Sequence, residues 1–282
     1  MIISNNNNNL LHVIVSKDQL QYKEGVMFVE ERHERIILKI NQYGKVRVKT
    51  LSEDFNVTED CIRKDLTSLE KKGLLKRTYG GAVLIRQNVH NVHIDYRKSV
   101  DLEEKKKIAK NAEPLIKDNY TVFLGISTIN IELAKVILKK NLSITVVTNM
   151  IEIMQIFATD CNIKLIFIGG TFSKCKDGFI GAFSIDLINR FKFDIAFLGV
   201  VGIDVYENSV STCGVEDGIT KMTVLKSSKS CYILNEINKF NRDGNYKFSE
   251  IGDFTGIVTS EISDSNILNK LREYDLELII SK

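Results

Sequence analysis

The chain has 282 residues, 44% hydrophobic and 27% charged, with a formal net charge of +3. That balance excludes a disordered or collagen-like polypeptide, and the length predicts two domains whose cores need no metal or disulfide staple. No apolar stretch approaches the roughly 20 residues of a membrane-spanning helix. Five cysteines, odd in number and without a CxxC pair, argue against a disulfide framework or a zinc site.

In chain order, residues 1–26 include five consecutive asparagines and lack the basic start of a secretory signal, so they read as a disordered extension outside the fold. Residues 27–86 then carry thirteen basic against nine acidic side chains, leaving the rest of the chain slightly acidic. An excess of cations on one small domain suits a phosphate backbone. A helix over residues 30–42 has Ile36, Ile37 and Ile40 on one face and ends at Gly44. A β-like piece, 45–48, leads to a short helix, 50–55, with Leu51 and Phe55 four apart. Asn56-Val57 makes a tight turn, Thr58 is the N-cap of a helix over 59–72, and Gly73 is its stop.

Two helices joined by such a turn predict a helix-turn-helix, whose second helix enters the major groove. With Ile62, Leu66 and Leu69 turned inward, Glu59, Asp60, Arg63, Lys64 and Thr67 face outward. Segments 74–77 and 82–85 flank Thr78-Tyr79-Gly80-Gly81 and predict a hairpin wing. The expected contacts to double-stranded DNA are therefore Lys49, Thr58, Arg63, Lys64 and Thr67 from the helices, and Lys76, Arg77 and Tyr79 from the wing. A small helical subdomain with a merely decorated surface is the competing reading.

A linker, 87–100, joins this domain, 27–86, to a second, 101–282. There, apolar strands at 121–124, 142–147, 164–168, 195–198, 230–234, 256–259 and 277–280 alternate with helical segments. The first helix, 101–117, is interrupted near Pro114, and the others fall at 128–139, 150–158, 182–191, 216–227 and 265–274. Alternation of this kind predicts an α/β fold around a mostly parallel sheet with both faces covered. Ligands of such sheets bind outside the carboxyl ends of the strands. The segments expected there are Gly125-Ile126-Ser127-Thr128, Thr148-Asn149, Gly169-Gly170-Thr171 and the loop opened by Gly199. Four converging loops rich in small and hydroxyl residues suit a phosphorylated small molecule.

Two motifs carry a resemblance. Ile62-Arg63-Lys64-Asp65-Leu66 and Arg77-Thr78-Tyr79-Gly80-Gly81-Ala82 are similar to the recognition helix and wing of DeoR-type bacterial repressors. Lys64 stands where that pattern has a second arginine, and Tyr79 where it has histidine. The likeness runs over about residues 27–260. It implies an N-terminal winged helix-turn-helix and a C-terminal sensor domain related to ribose-5-phosphate isomerase and coenzyme A transferase folds. It further implies a cytoplasmic, homodimeric or homotetrameric repressor of carbohydrate-metabolism genes, without cofactor or metal, that is released by a phosphorylated sugar. Carried over position by position, Ser127 and Thr128 hold phosphate, while Thr148, Asn149, Glu216, Lys221 and Lys239 line the pocket. Gly125 and Val201 stand where the family carries acids, so the altered pocket is expected to bind a different effector, to bind weakly, or to bind none.

The alternatives are a sugar-phosphate isomerase and a repressor without an effector. Enediol chemistry needs a positioned carboxylate base, and the acids left near the loops are Asp204, Glu216 and Glu236. The lost acids at positions 125 and 201 weigh against catalysis. Lysines such as Lys221 and Lys239 are most often simply solvated.

Overall fold

The computed structural model describes residues 28–72, 74–83, 94–140, 142–158, 162–173 and 177–280. The extension read over 1–26, the stop at Gly73 and residues 84–85 of the second wing segment lie outside the described residues.

The N-terminal unit runs α1 (Val29–Tyr43), β1 (Lys45–Arg47), α2 (Val48–Phe55), α3 (Glu59–Lys71), β2 (Lys76–Thr78) and β3 (Gly81–Val83). Ile36 and Ile40 of α1, Leu51 and Phe55 of α2, and Ile62, Leu66 and Leu69 of α3 form one core with Leu75 and Ala82. Asn56 takes a left-handed conformation, φ 50°, to close α2. Thr58 then caps α3 by accepting the Cys61 N–H at 3.3 Å. The three strands pair antiparallel in the order β1-β3-β2. Gly81 faces Arg47 across that sheet, where a β-carbon would lie 2.0 Å from the Val46 carbonyl oxygen, so the wing closes only with glycine there.

In the stretch read as a linker, α4 (Ile94–Ser99) is helical and Ile94 is buried in the sensor core. Next comes α5 (Leu102–Ala112), which tightens into a 3₁₀ turn, Glu113–Leu115, around Pro114. The chain continues as β4 (Thr121–Leu124), α6 (Thr128–Lys140), β5 (Thr145–Thr148), α7 (Ile151–Phe157), β6 (Lys164–Phe167), β7 (Thr171–Ser173), β8 (Gly178–Ile180) and α8 (Ala182–Ile188). It ends with β9 (Phe193–Gly199), β10 (Gly202–Asp204), β11 (Ser209–Thr212), α9 (Val215–Lys226), β12 (Ser228–Asn235), β13 (Tyr246–Ser249), β14 (Gly256–Thr259), α10 (Ser265–Leu271) and β15 (Glu277–Ile280).

Seven strands make one sheet in the order β15-β14-β12-β9-β4-β5-β6, with every pairing parallel. Its five inner strands are buried on both faces with a period of two, and the edge strands β6 and β15 are partly exposed. Val122 and Leu124 face one core and Phe123 the other, and the same alternation recurs along β9 and β12. The expected strands appear, with β5 shifted to Thr145–Thr148 from the predicted 142–147. The sequence reading did not foresee the antiparallel sheet β10-β11-β13 or the β7–β8 hairpin. These strands have three or four residues, and segments such as Ser209–Thr212 are buried throughout although three of the four side chains are polar.

Candidate nucleic-acid interface and sensor edge

The outer face of α3 presents Asp60, Arg63, Lys64, Thr67, Ser68 and Lys71 along one shallow surface. The helix turns this face outward because its opposite stripe is consumed by the core. Arg63 is half-exposed and bridges Glu59 at 2.6 Å and Asp60 at 2.7 Å. Surface pairs of this spacing contribute about 0.3–0.5 kcal/mol each, so exchanging them for a phosphate or a guanine edge costs little. Lys64 is exposed and makes no ion pair with a described residue. The wing is fastened to the same helix: the Arg77 N–H donates to Glu70 at 2.8 Å, and its guanidinium to the Thr67 hydroxyl at 2.8 Å. Thr67 in turn donates to the Arg63 carbonyl at 2.7 Å. Lys49, Lys76 and Tyr79 are exposed, Tyr79 fully so at the wing tip, whereas the Thr58 hydroxyl is engaged as a helix cap.

Sequence reasoning missed what holds α3 from behind. Asp65 is 4% exposed and accepts from Arg32 of α1 at 2.5 Å and 3.1 Å, with the His33 ring at 3.1 Å. The hydrogen bond that Arg32 donates to Asp65 raises the Arg32 pKa, so this guanidinium stays charged in the core. The signal was present. Asp65 falls three after Ile62 and one before Leu66, and Arg32 falls four before Ile36, so both lie on apolar stripes.

In the second unit the strand order reverses between β4 and β9: one branch runs β4-β5-β6 and the other β9-β12-β14-β15. The crevice of such a sheet lies at the carboxyl ends flanking that reversal. There the loops after β4 and β9 touch, since a β-carbon on Gly199 would sit 2.5 Å from that of Ser127. Asn130 donates to the carbonyls of Gly125 at 2.8 Å and Phe197 at 2.9 Å, which locks the two loops together. The Ser127 hydroxyl accepts the Ile129 N–H at 3.2 Å and so caps α6, which Thr128 opens. Thr148 is fully buried and ties β5 to the Leu124 carbonyl at 2.7 Å. The Asn149 amide donates to the Phe179 carbonyl at 2.7 Å, while its buried oxygen has no hydrogen-bond partner among the described residues.

The remaining predicted residues sit differently. Gly169 accepts from the Ser184 hydroxyl through its carbonyl at 2.8 Å, and a β-carbon on Gly170 would lie 2.1 Å from the same hydroxyl, so α8 begins against this loop. Glu216 is exposed in the first turn of α9. Lys221 is not a solvated surface lysine. It is 7% exposed and donates to Asp217 at 2.7 Å and Thr212 at 3.0 Å. Asp217, which also accepts from Thr212, was missed; its signal is the i, i+4 spacing to Lys221. Lys239 is partly exposed and paired with Glu236. Burial opposes the charge on Glu236, but the ammonium groups of Lys239 and Lys105 outweigh it and lower its pKa. Of the other acids, Asp204 is spent on a turn, accepting the Tyr206 and Glu207 N–H groups at 2.8 Å and 3.0 Å.

Two families match this chain: "DeoR-like helix-turn-helix domain" over residues 32–88 and "DeoR C terminal sensor domain" over residues 100–261. The protein belongs to the DeoR family. The glycerol-3-phosphate regulon repressor of Escherichia coli K12 is 27% identical, over 88% of this chain and 97% of that one. The lactose phosphotransferase system repressor of Staphylococcus epidermidis is 29% identical, over 85% of this chain and 94% of that one. Among solved structures, ribose 5-phosphate isomerase A of Methanocaldococcus jannaschii is similar at 18% identity and a TM-score of 0.37, over 50% of this chain and 55% of that one. This DeoR-family chain is a DNA-binding transcriptional repressor rather than an enzyme, and no helix among its described residues is long and apolar enough to cross a membrane.

Proposed function

We propose that this repressor grips a double-stranded operator through the outer face of α3 and the wing, as a cytoplasmic homodimer or homotetramer. A phosphorylated sugar, binding at the carboxyl edge of the sensor sheet, releases it from genes of carbohydrate metabolism. The observation that carries the reading is the contact of the Ser127 and Gly199 loops at the strand-order reversal, directly before the N-terminus of a thirteen-residue helix. Aligned N–H groups at such a terminus favour an anion. Thr128, with Asn149 and its unpaired buried oxygen, supplies polar groups for sugar hydroxyls. Glycine at position 125 and valine at 201, where acids stand in the family pattern, leave the pocket fewer charged acceptors, which favours a sugar held mainly through its phosphate. The names of the two repressor relatives agree with a sugar or polyol phosphate regulon. Paired operator half-sites require at least two copies of the helix-turn-helix.

The test is a thermal-shift screen of hexose and pentose phosphates against the full chain. A ligand at a hundred times its Kd stabilises by about 2.7 kcal/mol, which raises the Tm of a domain this size by roughly 5–10 °C. The same compound must weaken operator binding, since only unequal affinity for two states shifts them. Absence of any such shift overturns the effector reading.

A further inference from the structure

The junction that leads from the DNA-binding half into the sensor is laced to the loop after β12. Asp101, between α4 and α5, accepts from the Asn238 amide at 3.2 Å. Glu104 accepts the Ile237 N–H at 2.8 Å and the Ser260 hydroxyl. Lys105, only 2% exposed, donates to the Arg97 carbonyl at 2.5 Å and to the Val100 carbonyl, which lie at the end of α4, and its ammonium is 3.3 Å from one carboxylate oxygen of Glu236. The other oxygen of Glu236 pairs with Lys239. Together these contacts run without a break from Lys239 through Glu236 and Lys105 to the last turn of α4. An ammonium has three donors, and all three of those on Lys105 are engaged, so it has none in reserve when Glu236 moves. Two further observations mark the junction as poised. Asp101 takes the left-handed conformation, φ 50°, so the chain changes direction sharply between α4 and α5. Beyond it, α4 is the first described helix after the wing and is fixed to the sensor by buried Ile94 and by the Lys98–Glu152 ion pair.

We propose that Glu236 and Lys105 are the positioning pair through which the sensor edge acts on the DNA-binding half. An anion taking the Lys239 ammonium displaces Glu236, whose carboxylate then turns to Lys105, with Arg242 the other cation in its field, and draws Lys105 away from the α4 carbonyls. The last turn of α4 loosens, and with it the hold on the segment that presents the helix-turn-helix. This deepens the reading of Lys239 as an effector contact and rests on it.

Two variants of the full chain test the coupling without any effector. Glu236→Gln keeps the shape and removes the charge, and Lys239→Met removes a partly exposed ammonium while keeping most of its apolar stem. Amide hydrogen exchange is read at residues 97–100, and affinity is read for a duplex selected from random sequence by the wild-type protein. Exchange at 97–100 at least several-fold faster than wild type, with operator binding about tenfold weaker, is the expected result for Lys239→Met, and adding Glu236→Gln to it, which removes the pull on Lys105, is expected to bring the exchange back toward wild type. Should Glu236→Gln fail to fold, Lys239→Met decides alone. Unchanged exchange and unchanged affinity overturn the coupling. A parallel arm adds glucose 6-phosphate, fructose 1-phosphate or ribose 5-phosphate to the wild type and reads Tm. A rise in Tm with unresponsive α4 sinks the coupling and leaves the effector reading standing. No rise in Tm with responsive α4 sinks the effector reading and leaves the coupling standing.

Discussion

Replacing Asp65 with alanine tests how the recognition helix is held. The side chains of Asp65 and Arg32 are 6% and 5% exposed, so the substitution takes away the carboxylate that pairs with a guanidinium in the core. Breaking a buried pair in this one-sided way costs about 3–5 kcal/mol. A unit of about 55 residues at the usual 0.05–0.15 kcal/mol per residue has roughly 3–8 kcal/mol in all. The loss is therefore comparable with the whole stability of the N-terminal half, while the sensor has its own cores and is untouched. Urea unfolding followed by far-ultraviolet circular dichroism is expected to show the helix-turn-helix transition moved close to zero denaturant, the sensor transition unmoved, and operator binding abolished. The double variant Arg32→Met, Asp65→Leu removes both charges together, and such replacements are neutral or stabilising. It is expected to refold the unit and to recover operator binding to within about tenfold, because Asp65 acts by placing α3 and not by touching DNA. A cost below about 1 kcal/mol for Asp65→Ala alone would refute the reasoning.

Three further outcomes are expected. Arg63→Ala combined with Lys64→Ala leaves urea stability within about 0.5 kcal/mol, since both side chains are exposed, and lowers operator affinity by at least about thirtyfold at fixed salt, given about 1–3 kcal/mol per base contact. A duplex-shift titration with unaltered affinity rules out α3 as the reading element. Gly199→Ala drives a β-carbon to 2.5 Å from that of Ser127 and is expected to cost about 1–3 kcal/mol and to blunt the sugar-phosphate Tm shift. A variant as stable as wild type removes the tight contact of the two loops from the account. The folded-state pKa of Glu236 lies below its ordinary value of 4.5, so its contribution to stability is complete above about pH 4.5 and disappears as pH falls through the lowered value. Acid titration of Tm is expected to show Glu236→Gln losing that part of the acid limb. Identical limbs in the two proteins count against an ionised Glu236 clamped by two lysines.

Much of this architecture was legible because hydrophobic periodicity reports which side chains leave water. The stripe Ile62, Leu66, Leu69 fixed which face of α3 looks out, and with it the exposure of Arg63 and Lys64. The strands Thr121–Leu124, Gly256–Thr259 and Glu277–Ile280 match their predicted limits because each is a short apolar run bounded by turn residues. The strands β10, β11 and β13 escaped because they are buried among polar neighbours: Ser211 donates to the Gly202 carbonyl at 3.2 Å and accepts the Gly244 N–H at 2.7 Å, so its burial is secured by hydrogen bonds that no apolar pattern records.

The same limit explains which residues were missed. Lys105, Arg32, Asp65 and Asp217 are all buried, and composition assigns such residues to the surface. A buried charge is tolerated only when its partners are placed with it, so each of these residues marks a point where two elements must keep a fixed relation. Arg32 and Asp65 fix α1 to α3, and Lys105 with Glu236 fixes α4 and α5 to the loop after β12. Opposite charges sitting on the apolar stripes of two helices that share a core are therefore themselves a sequence signal. In this chain Arg32 lies one turn before Ile36 and Asp65 one turn after Ile62, and the pair could have been matched across the core before any coordinate was known. Lys105 offers no such cue, because three of its partners are carbonyls and a carboxylate brought to it from residues as distant as 236. The contacts readable from sequence are those that build each half. The contacts carrying a signal between the halves join segments far apart in the chain, and only the folded arrangement brings them within reach.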